Sequence, residues 1–348
     1  LIWEIILKIT KLLNKSALVV ALLISSGPLM AGEELNLYSA RKEALIKPLL
    51  DQFTQETGIK VNLVTGKADA LLQRLKSEGR NSPADLLLTT DAGRLSRAKE
   101  AGLLQPITSE ILSKEIPQHY RDPEGYWFGL SVRARPIIYS VERTDPAHLS
   151  SYEALSDPEW KQRICIRSSG NIYNQSLIAS MIEADGMERT EQWANGLVTN
   201  FAKPPQGGDR DQIKAVASGR CDVAIANSYY YGMMVNSKKE SERQAALKTA
   251  IFWPNQNGRG THVNISGAAL TKASKNRSAA IELLEYLVSN EAQAWYGEKN
   301  YEYPVKEGAA ISATLQSWGS FKADTMNLSI LGQNNPQAVM LMDRAGWK

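Results

Sequence analysis

Histidine and cysteine are scarce in this chain, with 3 and 2 copies among 348 residues. His119, His148 and His262 are widely scattered, and none has a metal-like partner at helical spacing, so the sequence offers no imidazole metal centre. The two cysteines, Cys165 and Cys221, have no spacing that suits zinc. No Ser-His-Asp or Cys-His arrangement stands out, which leaves an enzyme without its nucleophile and base. Charge of one sign is also missing: 40 basic and 37 acidic residues give a net +3, interspersed rather than blocked. That balance carries no footprint for nucleic acid. Repeats, coiled-coil heptads and low-complexity linkers are absent as well.

What is present begins with size. A chain of this length exceeds the usual single hydrophobic core, so two lobes are the default expectation. The first residues differ from the rest. Lys8, Lys11 and Lys15 precede an apolar run, Ala17 to Ile24, and Leu29-Met30-Ala31 follows a Ser-Ser-Gly-Pro turn. The run is too short to favour a membrane span. A basic flank, a short apolar core and a small residue predict an export signal over 1–31, with a periplasmic destination. The competing reading is a buried N-terminal helix.

From Glu34 onward strands and helices alternate. Leu35 to Tyr38 and Ile59 to Leu63 alternate as strands. Leu45, Ile46, Leu49, Leu50 and Phe53 recur at helical spacing before Gly58. Ala84 to Thr89 reads as a strand buried on both faces. The pattern resumes with the Cys165 strand, helices over 175–185, 189–201 and 212–218, and the strand Cys221 to Ala226. Strands separated by helices imply βαβ units and mostly parallel sheets. Two extended stretches, 129–139 and 262–270, read as hinge crossovers between two α/β lobes. The expected division is 32–132 with 264–309 for one lobe, and 133–263 with 310–348 for the other. Each cysteine sits in a short apolar strand, so the pair reads equally as a disulfide in an oxidising compartment or as two buried thiols.

The most informative local feature is Asn227-Ser228-Tyr229-Tyr230-Tyr231-Gly232, directly after a buried strand. Ligands of open α/β sheets bind at the carboxyl ends of strands. A second phenol, Tyr173, follows Ser168-Ser169-Gly170-Asn171 at the start of a helix, where backbone N–H groups favour anions. Ferric ion is a hard acid that prefers anionic oxygen. Coordination supplies the free energy to deprotonate a phenol whose ordinary pKa is about 10. Three phenolates would balance a 3+ charge. Aromatic packing at a lobe edge explains the same run equally well.

These residues resemble the periplasmic ferric-ion-binding proteins of ABC importers, the tyrosine-rich branch of the type II solute-binding fold. The resemblance runs from about Glu34 to the C-terminus. It rests on Leu37-Tyr38-Ser39-Ala40-Arg41, Ala84-Asp85-Leu86, Gly102-Leu103-Leu104, Arg133-Ala134-Arg135, Tyr173 and Asn227-Ser228-Tyr229-Tyr230. It implies a two-lobed α/β fold that captures Fe(III) for a membrane ABC permease, as a monomer and without catalysis. Tyr173, Tyr229 and Tyr230 would be the ligands, with Tyr231 as packing. Arg41 and Arg133 would hold a carbonate or bicarbonate anion, with Tyr38, Asn171, Asn227 and Arg135 near the cleft. Some relatives place a His or Tyr just after the first-strand Arg. Here Lys42-Glu43 stands there, so the resemblance implies three tyrosines plus an anion, and Glu43 reads as a solvated helix start. The alternative is an organic or oxyanion solute with the tyrosines as pocket wall, or a secreted enzyme on the same fold.

Overall fold

The computed structural model describes residues 33–348; the export signal expected over 1–31 lies outside them. Among the described residues no helix is long and apolar enough to cross a membrane.

The chain opens with β1 (Glu34–Ser39), α1 (Glu43–Thr57), β2 (Lys60–Thr65), α2 (Ala68–Glu78), β3 (Leu86–Thr90), α3 (Ala92–Glu100) and α4 (Glu110–Glu115). In α1, Ile46, Leu49, Leu50 and Phe53 form the buried stripe that their spacing predicts. Gly58 ends that helix at φ +78°, its N–H donating to Thr54 O, a backbone geometry that favours glycine. Asp91 caps α3 by accepting from Gly93 N.

Two strands then leave the first lobe: β4 (Phe128–Ala134) and, after Arg135-Pro136, β5 (Ile137–Ser140). The second lobe adds β6 (Ile164–Cys165), α5 (Ile172–Asp185), α6 (Met187–Thr199), α7 (Asp209–Ala217), β7 (Val223–Ile225), α8 (Ser228–Val235), α9 (Glu240–Leu247) and β8 (Thr249–Phe252). The return strand β9 (Val263–Leu270) is buried along its whole length. α10 (Arg277–Tyr286), α11 (Asn290–Trp295) and β10 (Tyr303–Pro304) complete the first sheet. The C-terminal helices α12 (Ala313–Gln316), α13 (Ile330–Gln333) and α14 (Asn335–Arg344) follow. α13 packs on both α3 and α5.

The larger sheet has the order β10-β4-β9-β3-β1-β2, the smaller β6-β7-β5-β8. Both are mixed, which corrects the expectation of mostly parallel sheets. β1 pairs with β2 and β3 in parallel, and β6 with β7, as helix-linked βαβ units should. β4, β5 and β9 enter without such a crossover, and their pairings are antiparallel. The two passages between lobes also pair with each other: Arg133 lies opposite Asn264, and Arg135 N donates to His262 O. Cys165 and Cys221 are bonded, with a Cα separation of 5.8 Å, tying β6 to the approach to β7.

Candidate metal centre

The tyrosine run, which follows β7, forms the first turn of α8. A helix turns about 100° per residue, so three consecutive phenols cannot share a face. Tyr231 points inward, its hydroxyl donating to Thr249 O at 2.7 Å and Ala246 O at 3.2 Å. Tyr229 and Tyr230 point to the cleft, their rings 4.2 Å apart at 33°. Tyr173 sits in the first turn of α5, and its hydroxyl lies 3.4 Å from that of Tyr229. Three phenols therefore meet at the positive ends of two helices, where anionic oxygen is favoured.

A buried polar frame sets the two helices. Arg135 donates to Asn174 on α5, to Asn227 Oδ1 before α8 at 2.9 Å, and to Asp209 Oδ1 on α7 at 3.3 Å. Asp209 also accepts from Asn227 N at 2.9 Å and from Arg167 Nη1 at 2.5 Å. Arg135 and Asn227 thus hold α5 and α8 from behind, and neither lines the cleft.

Arg133 is 1% exposed and lies beneath the phenols. Its guanidinium is 5.3 Å from the Tyr173 ring and 5.8 Å from that of Tyr229. Nη2 donates to Ile265 O, while Nε and Nη1 have no partner. A buried cation with two idle donors is costly unless negative charge develops close by. The phenols are where it can develop. Burial opposes ionisation of Tyr173, but Arg133 and the Tyr229 hydroxyl outweigh it and hold this phenol below its ordinary value. Burial, and then repulsion by Tyr173, push Tyr229 and Tyr230 up. Of the three, Tyr173 is therefore the phenol that ionises most easily.

Across the cleft stands Arg41, at the end of β1. The space between the walls is about 490 Å³ and is also lined by Lys42, Thr90, Arg167, Asp209, Met233 and Glu302. Arg41 Nη2 donates to Ser131 Oγ at 2.7 Å and to Glu302 Oε2 at 2.5 Å. Among the described residues no three His, Cys, Asp or Glu side chains gather.

Some expected cleft residues stand elsewhere. Tyr38 turns away, because strand alternation sends it toward α2; its hydroxyl donates to Glu78 and Arg74 stacks on its ring. Asn171 precedes α5 and its buried Oδ1 has no partner, but it is not on the cleft wall. Arg133 underlies the phenols instead of facing an anion in the cleft. Glu43 is exposed at the start of α1. Sequence reasoning missed Arg167, Asp209 and Glu302. The first two follow a strand end and a Gly-Gly turn, a placement that could have flagged them. Glu302 has no such signal.

The family profile described as bacterial extracellular solute-binding protein matches residues 81–325. The chain is 51% identical over 316 residues to iron uptake protein A1 of Synechocystis, covering 91% of this chain and 88% of that one. The chain belongs to the ferric-ion-binding family of bacterial extracellular solute-binding proteins. The solved structure of the Trichodesmium protein (IdiA, FutA) in complex with iron and citrate superposes with a TM-score of 0.89 at 54% identity, covering 90% of this chain and all of that one. Apo FutA2 from Synechocystis gives 0.87 at 46% identity, over 91% and 100%. The family's two-lobed architecture and its extracytoplasmic setting agree with the mixed-sheet lobes and the disulfide.

Proposed function

We propose that this protein captures ferric ion on Tyr173, Tyr229 and Tyr230 and delivers it to a membrane ABC permease. The observation that carries the reading is the convergence of three phenols, two of them over Arg133, a buried cation whose Nε and Nη1 have no hydrogen-bond partner. Phenolate oxygen suits a hard trivalent ion, and each ligand must shed its proton on binding. The remaining coordination positions face the Arg41 wall. A carbonate-like anion seated there, with Arg41 as its hydrogen-bond donor, completes the shell. Ligands on one lobe and an anion contact on the other make closure favour the loaded form, since only differential contacts shift such an equilibrium. One chain supplies every group, so the protein works as a monomer. Residues 1–31 direct it across the membrane as a cleavable export signal.

The test is uptake of labelled ferric iron by cells that lack their own copy. The wild-type gene should restore it. A triple Tyr173→Phe, Tyr229→Phe, Tyr230→Phe variant, exported at the same level, should not; restoration by that variant would refute the reading.

A further inference from the structure

Glu302 is a buried acid inside the cleft that neither the sequence pattern nor the three-tyrosine scheme uses. Its side chain is 5% exposed and its Arg41 partner 4%. Oε2 accepts from both Arg41 Nη2 and the Ser131 hydroxyl, and Ser131 Oγ itself accepts from Arg41. Three groups from β1, β4 and the approach to β10 thus close a small ring of hydrogen bonds. Tyr296 stacks under the Arg41 guanidinium at 5.0 Å. Among the described residues the side-chain bonds of Arg41 all leave from Nη2, and Glu302 accepts only at Oε2. The arginine that should meet an anion is therefore pinned through one amino group, and its charge is cancelled by a neighbour in van der Waals reach.

We propose that Glu302 is the residue that sets which anion accompanies the metal. This rests on the ferric reading above and deepens it. Arg41 lines the cleft, and the pinning of Nη2 fixes its orientation there as a polar donor with little net charge behind it. Such a wall accepts a small oxygen anion of low charge, bicarbonate for example. A multiply charged polycarboxylate finds no net positive charge there, because Glu302 already balances Arg41, so each added negative charge loses its solvation without an ion partner. Ser131 contributes the geometry and no charge.

The experiment uses the full mature chain, with ferrous ion oxidised by air in its presence as a chelator-free source. Formation of the phenolate-iron absorption band is titrated with bicarbonate, and separately with citrate, in wild type, Glu302→Gln and Ser131→Ala. Glu302→Gln should shift preference toward citrate by roughly tenfold, the effect of two further charges across several ångströms in a screened site. Ser131→Ala should weaken both anions alike and leave their ratio as in wild type. An unchanged ratio in a Glu302→Gln protein that still forms the band overturns the proposal and leaves the ferric reading standing. A folded Glu302→Gln protein with no band under either anion overturns it too, and makes Glu302 a ligand. Absence of the band in wild type removes the ferric reading itself.

Discussion

Replacing Arg133 with Gln removes the cation beneath Tyr173 and Tyr229 while keeping an amide that can donate to Ile265 O. At 5.3 and 5.8 Å from the two rings, a guanidinium facing a phenolate is worth about 3 kcal/mol per pair at an effective dielectric near 20. Part of that field survives the change, because Arg167 and Arg135 lie 5.5 and 6.0 Å from the Tyr173 ring. Removing a buried charge also relieves its own desolvation. A net loss of about 2 kcal/mol in metal binding, roughly thirtyfold in Kd, is the expected balance. The sign in pH follows from Tyr173. Burial is the largest influence and raises its pKa; Arg133 leads the opposing influences, which together bring it below the ordinary value, so without Arg133 the phenol holds its proton to higher pH. The pH of half-release of iron should therefore move up. Competition against a chelator of known affinity, read at the visible band across pH, measures both quantities. Thermal unfolding of the iron-free protein separates a folding defect from a site defect. An unchanged Kd and an unchanged release midpoint, in a variant of wild-type stability, would refute the idea that Arg133 stabilises the phenolates.

Acid should release the metal: ionising three phenols frees up to about three protons per ferric ion, so log K should fall by as much as about three per unit of acidification, measured by equilibrium competition; a flat profile contradicts phenolate ligation. Tyr231→Phe should keep the iron band and cost about 1 kcal/mol of stability, read by denaturant titration, since its hydroxyl serves Thr249 and Ala246. Reducing Cys165–Cys221, which closes a sequence separation of 56, should cost about 4 kcal/mol by the loop-entropy relation, seen as a lower urea midpoint with reductant. Gly232→Ala should weaken iron binding, because its new Cβ would fall 2.7 Å from Tyr301 Cβ and push α8 off its seat; an unaltered titration would show that α8 tolerates the shift.

Much of this was legible in the residues, and the gaps have physical causes. Helical spacing in α1 and the doubly buried run of β3 marked their elements because burial repeats with backbone period. The parallel pairs followed from helices between strands, but β4, β5 and β9 make antiparallel pairings that local pattern cannot report, since pairing direction is set by distant chain. The phenols announced themselves by rarity, three in succession after a strand. That they begin a helix, with Tyr231 rotated into the core, was hidden because aromatic residues have no strong helical preference. The resemblance put Tyr38 near the cleft, yet strand alternation sends it to the far face. An anion-holding role for Arg133 came only from the family resemblance. Only its burial, against β9 and under two rings, shows where its charge acts. Glu302 is joined to Arg41 across 261 positions, and no local signal exists for such a partner.

Ferric titration of the purified mature protein, followed by visible absorption, tests the central claim most directly. A phenolate-to-iron charge-transfer band that saturates at one metal per chain, and is lost in Tyr229→Phe, is the predicted result. A protein that stays colourless through the titration would contradict it, and the three phenols would then be a pocket wall for an organic solute.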